Sequence, residues 1–294
     1  MKPALLLLPL FFLLASCASD PFSGVRRGVS PEIINVSSYD PKERQRGGLS
    51  YTPDDVSSLR KNGAHGLIAR VSKGSAADVK AARFLKAADR EGMLVGVYHF
   101  VLPGISVTSQ ADRMLERVRA IGNDMDLKAP GVLLVGDFDS SIPAKDVARF
   151  ITRVRERTGG VTPLVYLENA DRIKKSMRAA DPQTRAILRS APYWMALYGH
   201  VDKMDSVFSV RGRDLSPGVM LDIYQVWDDW ALWQYGGVWW DRSRGRSVPH
   251  YYNRGGFRSG PYFGNMDRPM ERNVFNGTVP ELRAFWARHS WNWR

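Results

Sequence analysis

Val132-Leu133-Leu134-Val135-Gly136-Asp137-Phe138-Asp139 runs apolar as far as Gly136 and then carries two acids one residue apart. An unbroken apolar run of this length, followed by polar residues, fits a strand of a parallel sheet buried on both faces. Asp137 and Asp139 stand at i and i+2, so on such a strand they point to the same side. Carboxylates at the end of a buried strand are costly unless water or chemistry meets them there. The alternative is a loop-end pair that caps the next helix.

Similar short β-rich runs lie on both sides. Ile33–Val36, Leu67–Val71 and Leu94–Phe100 precede it, and Pro163–Leu167 and Tyr193–Tyr198 follow. Helical stretches separate them. Thr52-Pro53 opens one with a capping residue and a first-turn proline. Ala76–Glu91 is amphipathic and closed by Gly92, and Thr108–Ile121 is a further helix. Ser141 is expected to cap a helix running to Thr158, and Asn169 to cap another. The strands start roughly thirty residues apart, the length of a βα unit, which predicts a parallel α/β barrel in one domain. After residue 200 the rhythm fails. Residues 200–229 and 236–272 are polar and rich in glycine, arginine and aromatics, so they read as long insertions around Leu232–Tyr235, with a closing helix from Pro280 to His289.

The N-terminus predicts where the chain resides. Lys2 precedes an apolar run, Leu5 to Leu14, broken only by Pro9, and Leu14-Ala15-Ser16-Cys17 follows. The run is far shorter than the ~20 residues a membrane span needs, so it reads as a secretory signal. Leu14–Cys17 is similar to the lipobox of bacterial lipoproteins, which implies lipidation of Cys17, the only cysteine of the chain. An ordinary signal cut nearby, leaving Cys17 a free thiol, is the alternative. Residues 1–17 are thus a signal, 18–31 a tether and 32–294 the barrel; the chain is expected in the cell envelope, at the outer membrane of a Gram-negative host. Without the first 17 of its 294 residues, 277 remain. A net charge of +12 and a pI near 9.9 suit an anionic surface such as cell wall, phospholipid or nucleic acid, or simply a soluble basic exterior. No nucleic-acid-binding motif is present, and the histidines and lone cysteine have no metal-ligand spacing. No metal or cofactor is implied, and a monomer is expected.

Barrel enzymes carry their chemistry at the C-terminal ends of the strands. The polar residues there are Asn35, Ser37 and Tyr39; Tyr98 and His99; Asp137 and Asp139; Tyr166 and Glu168; and Tyr198. His99 reads more readily as a packed histidine than as an acid or base. Glu168 reads more readily as a surface carboxylate in the first turn of the next helix than as a catalytic acid. Trp227, Trp230, Trp233, Trp239 and Trp240 crowd one segment, where their aromatic faces either line a binding groove or pack the core.

These residues carry a resemblance. Asn35-Val36-Ser37-Ser38-Tyr39, Val97-Tyr98-His99-Phe100, Gln110-Ala111, Asp137-Phe138-Asp139, Pro163-Leu164-Val165-Tyr166, Trp233-Gln234-Tyr235 and Asn273-Val274-Phe275-Asn276-Gly277 come in the order found in glycoside hydrolase family 25. The resemblance spans residues 32–278 and implies a modified (β/α)5(β)3 barrel. It also implies a lysozyme that cuts peptidoglycan between N-acetylmuramic acid and N-acetylglucosamine. The implied substrate-binding residues are Asn35, Tyr39, Tyr98, Tyr166, Tyr198, Trp233, Gln234 and Tyr235.

The sequence departs from the family at the chemistry. Asn35 stands where the family usually has aspartate, and Asp139 where it has the glutamate implied to be the general acid. Asp139 is one methylene shorter, about 1.5 Å of reach. Asp267 and Glu271 both precede Asn273, where the family usually has aspartate. Three outcomes stay open: Asp139 still reaches as acid, Glu168 replaces it, or the barrel binds glycan without cutting. In the first two, Asp137 steadies the oxocarbenium-like transition state or positions the acetamido group. A peptidoglycan hydrolase and a non-catalytic wall-binding lipoprotein are therefore both carried forward.

Overall fold

The computed structural model describes residues 30–38, 40, 53–125, 131–139, 141–168, 171–197, 217–241, 243, 245–251, 253–254, 257–258 and 270–293. Eight strands close a barrel in chain order. They are β1 (Glu32–Val36), β2 (Ala64–Lys73), β3 (Leu94–Val101), β4 (Val132–Phe138), β5 (Leu164–Leu167), β6 (Tyr193–Ala196), β7 (Leu232–Asp241) and β8 (Glu271–Phe275). The first seven run parallel, and β8 runs antiparallel between β7 and β1. Helices α1 (Pro53–Lys61), α2 (Ala81–Arg90), α3 (Val107–Gly122), α4 (Ala144–Thr158), α5 (Asp171–Arg178), α6 (Pro182–Arg189) and α7 (Pro217–Tyr224) connect the strands, and α8 (Val279–His289) follows β8. The expected modified α/β barrel is what forms.

Strand alternation makes two cores. Leu134, Val97, Val165, Met195, Trp233 and Val274 point outward under the helices. Leu133, Val135, Ile68, Leu164, Trp194 and Leu232 point inward. The inner core is closed from below by α8. Because β8 is antiparallel, the chain leaves it at the N-terminal mouth of the other strands, and α8 inserts Leu282 and Trp286 there. The Trp286 indole N–H donates to the Val95 carbonyl (2.9 Å). Gly96 makes room, since a Cβ there would lie 3.0 Å from Ile68 and 3.2 Å from Trp286. A capping box of Thr278 and Glu281 starts the helix. With the bottom plugged, the open end of the barrel is at the C-terminal ends of β1–β7.

The structure corrects the expected boundaries in several places. Helix α2 starts at Ala81 rather than Ala76, because Asp78 is drawn back to Arg70 Nε and the Ser38 N–H (both 2.9 Å) and Ala76–Ala77 pair with Ser72–Lys73. Ser141 does not cap α4. Its N–H and hydroxyl turn to Asp139, and the first N–H of α4 donates to Ser176 Oγ (2.9 Å). Leu232–Tyr235 begins a longer strand whose outer half pairs with Arg246–Tyr251, and α7 falls within the first expected insertion. Ser30 is buried and the Pro31 carbonyl accepts from the Phe275 N–H (3.0 Å), so residues 30 and 31, expected in the tether, pack with the barrel. Cys17, the remaining signal and tether, Tyr39, Asn169, Tyr198 and Asp267 lie outside the described residues. Among the described residues, no helix is long and apolar enough to cross a membrane.

Candidate active site

The inward phase of the strands turns polar one layer above the inner core. Asn35, Arg70, Tyr98, Asp137, Tyr166, Glu168, Trp194, Gln234 and Glu271, with Ser37 and Phe100, line a pocket of about 220 Å3 at the C-terminal mouth. Five of them follow an apolar inner-core residue two positions away on the same face: Ile33 to Asn35, Ile68 to Arg70, Val135 to Asp137, Leu164 to Tyr166, and Leu232 to Gln234. The pocket floor is therefore the top of the inner core.

A chain of hydrogen bonds fixes the floor. The Tyr166 hydroxyl donates to Gln234 Oε1 (2.7 Å), and Gln234 Nε2 donates to Asn35 Oδ1 (2.9 Å). Asn273 Nδ2 also donates to Asn35 Oδ1 (2.8 Å), while Asn273 Oδ1 accepts from the Trp194 indole (2.9 Å). Asn35 Nδ2 donates to Glu271. Asn35 and Glu271 are direct cross-strand partners on β1 and β8. An aspartate at position 35 would set two carboxylates against each other there, whereas the amide donates, so the departure at this position is matched by its neighbour.

Three acids face this space. Asp137 has one carboxylate oxygen, Oδ1, buried with no hydrogen-bond partner. Burial foremost, then the charges of Glu168 and Glu271, push the Asp137 carboxyl well above the ordinary carboxylate range, with Arg70 and Lys73 opposing. Glu168 is half-buried; burial and then Asp139 raise its carboxyl, and Lys73 opposes. Burial, then Glu271, raise the Tyr98 phenol well above its usual value, so Tyr98 stays a neutral hydroxyl. Arg70 is clamped by Asp78 and by Ser38 Oγ (both 2.9 Å), and Lys73 lies over the Phe100 ring, 4.8 Å from its centroid. The site is thus acidic, partly dry and bordered by two cations.

Of the residues singled out in the sequence, Asn35, Ser37, Tyr98, Asp137, Tyr166, Glu168, Gln234 and Glu271 meet in the pocket. Trp233 and Tyr235 do not line it. They flank Gln234 on the opposite strand phase, where Trp233 donates to the Leu197 carbonyl (3.0 Å) and Tyr235 to Glu32 (2.8 Å). Trp227 and Trp230 are buried in the outer core. Asp139 is not among the lining groups; its Oδ1 accepts from the Ser141 N–H (2.9 Å) and hydroxyl (2.7 Å). His99 is fully buried between Ser72 Oγ (2.6 Å) and Gln110 Oε1 (3.1 Å) on the outer side of β3. Gln110 Oε1 can only accept, so the His99 proton sits on Nε2 and Nδ1 accepts from Ser72. Arg70 and Trp194 were missed. Both were legible as inward-phase residues, one from Ile68 and the other opposite Tyr166.

Residues 36–239 match the family model described as Glycosyl hydrolases family 25. No curated protein sequence matches the chain. The fold is similar to that of a bacterial lysozyme from Streptomyces coelicolor, with a TM-score of 0.53 and 17% identity, covering 89% of this chain and 99% of that one. A family GH25 lysozyme from Aspergillus fumigatus gives a TM-score of 0.53 at 15% identity, covering 88% and 99% of the respective chains. A muramidase from Acremonium alcalophilum gives 0.52 at 16%, covering 87% and 99%.

Proposed function

The chain belongs to glycosyl hydrolases family 25, and from that premise we propose that it is a peptidoglycan hydrolase cutting the β-1,4 bond between N-acetylmuramic acid and N-acetylglucosamine. A glycoside hydrolase needs a carboxyl held in its protonated form beside the scissile bond and a second acidic group to meet the developing positive charge. The observation that carries the reading is Asp137: a buried carboxylate oxygen without a partner, at the floor of a pocket that holds two further acids. A protein that had no use for this oxygen would gain stability by capping it or replacing it. A substrate acetamido N–H or hydroxyl supplies the missing donor. Tyr98 provides a neutral hydroxyl, and Tyr98, Tyr166 and Trp194 provide aromatic surface for a sugar ring.

Export and lipid anchoring at Cys17 belong to the same proposal and rest on the order of Lys2, Leu5–Leu14 and Leu14–Cys17. In that setting the chain trims the wall of its own host, and the charge of +12 favours an anionic polymer. The rival reading is a wall-binding protein that does not cut. It is favoured by one observation, the engagement of Asp139 by Ser141 in place of the pocket. Incubating the full chain, in detergent, with purified peptidoglycan separates the two. New reducing ends support hydrolysis; retention on the polymer without products supports the rival.

A further inference from the structure

We propose that Glu168, at the end of β5, is the group that protonates the departing glycosidic oxygen, and that Asp139 is a positioning residue for it. This assignment rests on the hydrolase reading above.

The geometry separates the two carboxyls. Asp137 and Tyr166 are register partners on β4 and β5, as are Phe138 and Leu167, so the next positions on the two strands are Asp139 and Glu168. Leu164 and Tyr166 point into the barrel, and Glu168 continues their phase and lines the pocket. The strand end that carries it is pinned, because the Tyr224 hydroxyl donates to the Glu168 carbonyl (2.9 Å). Asp139 is built into a turn instead. Its N–H donates to the Val101 carbonyl (3.2 Å), its carbonyl accepts from the Ile142 N–H (2.9 Å), and its Oδ1 takes both Ser141 donors. Swinging that side chain into the pocket would leave two Ser141 donors without their acceptor. Glutamate is also the longer side chain, so Glu168 has the reach that aspartate at 139 lacks.

Asp139 nevertheless acts on Glu168. Its charge is the second cause, after burial, that holds the Glu168 proton, and Lys73 is the cation that opposes it. Asp137 and Glu271 line the same pocket as Glu168, and the Asp137 carboxyl is itself raised in part by Glu168. Asp137 lies deeper, one layer below the rim, with its free oxygen committed to accepting from substrate rather than to the leaving group. The step balances on one side chain. The Glu168 carboxyl proton passes to the glycosidic oxygen as the C1–O bond breaks. Water then adds to C1, and its proton returns to the Glu168 carboxylate.

The test compares Glu168→Gln with Asp139→Asn in the full chain, on peptidoglycan and on an aryl β-glycoside of chitooligosaccharide whose phenolate leaves without a proton. Glu168→Gln is expected to lose about 10²–10⁴-fold in turnover on peptidoglycan and far less on the aryl substrate. Asp139→Asn keeps an oxygen for Ser141, so it should lose less than about tenfold and move the alkaline limb of the pH–rate profile to lower pH. Equal loss on both substrates for Glu168→Gln, or abolition of turnover by Asp139→Asn with an unchanged melting temperature, overturns the assignment while leaving the hydrolase reading intact. A wild-type chain that releases no reducing ends overturns both.

Discussion

At the residue scale, Asp137 is where fold and chemistry conflict. Its carboxyl is held protonated to higher pH in the folded chain than the ordinary value of 3.8, so the unfolded chain binds fewer protons above that pH. Stability contributed by this group therefore falls as pH rises from about 4, the reverse of a salt-bridged aspartate. Asp137→Asn removes that dependence. At pH 7 it should raise stability by roughly 1–2 kcal/mol in urea unfolding while turnover falls at least about a hundredfold; lower stability at pH 7 would contradict this account of the residue. His99 behaves in the opposite sense. Burial lowers its imidazole to about 4. Between the unfolded value near 6.5 and that of the folded chain, only the unfolded chain takes up the proton. The stability owed to neutral His99 is complete above pH ~6.5 and declines towards pH ~4, by up to roughly 3 kcal/mol. Because Asp137 opposes it within the same window, the measurement is the difference between wild type and His99→Gln across pH 4–7, which should shrink as the pH falls.

These positions show how much of the site was legible. Period-two alternation alone places Asp137, Tyr166, Gln234 and Asn35 above Val135, Leu164, Leu232 and Ile33. Trp233-Gln234-Tyr235 was carried as a block from resemblance, yet a strand can point only its middle residue into the barrel. The Asn35–Glu271 pairing could not be read, since it depends on which acid before Asn273 an antiparallel strand brings opposite β1.

At the scale of elements, the strands were more legible than the helix starts. The strand Val132–Phe138 lies within the stretch Val132–Asp139 that announces it, because burial on both faces leaves a continuous apolar signal. The start of α2 was misplaced by five residues: the Ala76 run has helical composition, but Asp78 is taken by Arg70 and Ser38 across two other elements. Tertiary hydrogen bonds outweigh a propensity of a few tenths of a kcal/mol per residue. The role of α8 was likewise hidden, since nothing local says that a closing helix inserts into the barrel mouth. Trp286 is fully buried there and donates to Val95. Trp286→Ala is expected to cost about 3–5 kcal/mol, read as a lower urea midpoint. A loss below 1 kcal/mol would show that α8 lies against the barrel without plugging it.

At the scale of the molecule, a plugged bottom and an acid-lined top give the barrel, among the described residues, one polar opening, and the lipid proposed on Cys17 would hold that opening near the wall. Cys17→Ser is expected to abolish incorporation of labelled palmitate and to move the chain from the membrane to the soluble fraction, with turnover on isolated peptidoglycan unchanged. Continued membrane association with no label in either form would remove the anchor from the account. The most direct test of the whole is the identity of the ends produced. Peptidoglycan digested by the full chain, reduced with borohydride and analysed by mass spectrometry, should yield muramitol ends with the wild type and a hundredfold fewer with Asp137→Asn. Glucosaminitol ends, anhydro-muramic ends, or no new ends at all would contradict it.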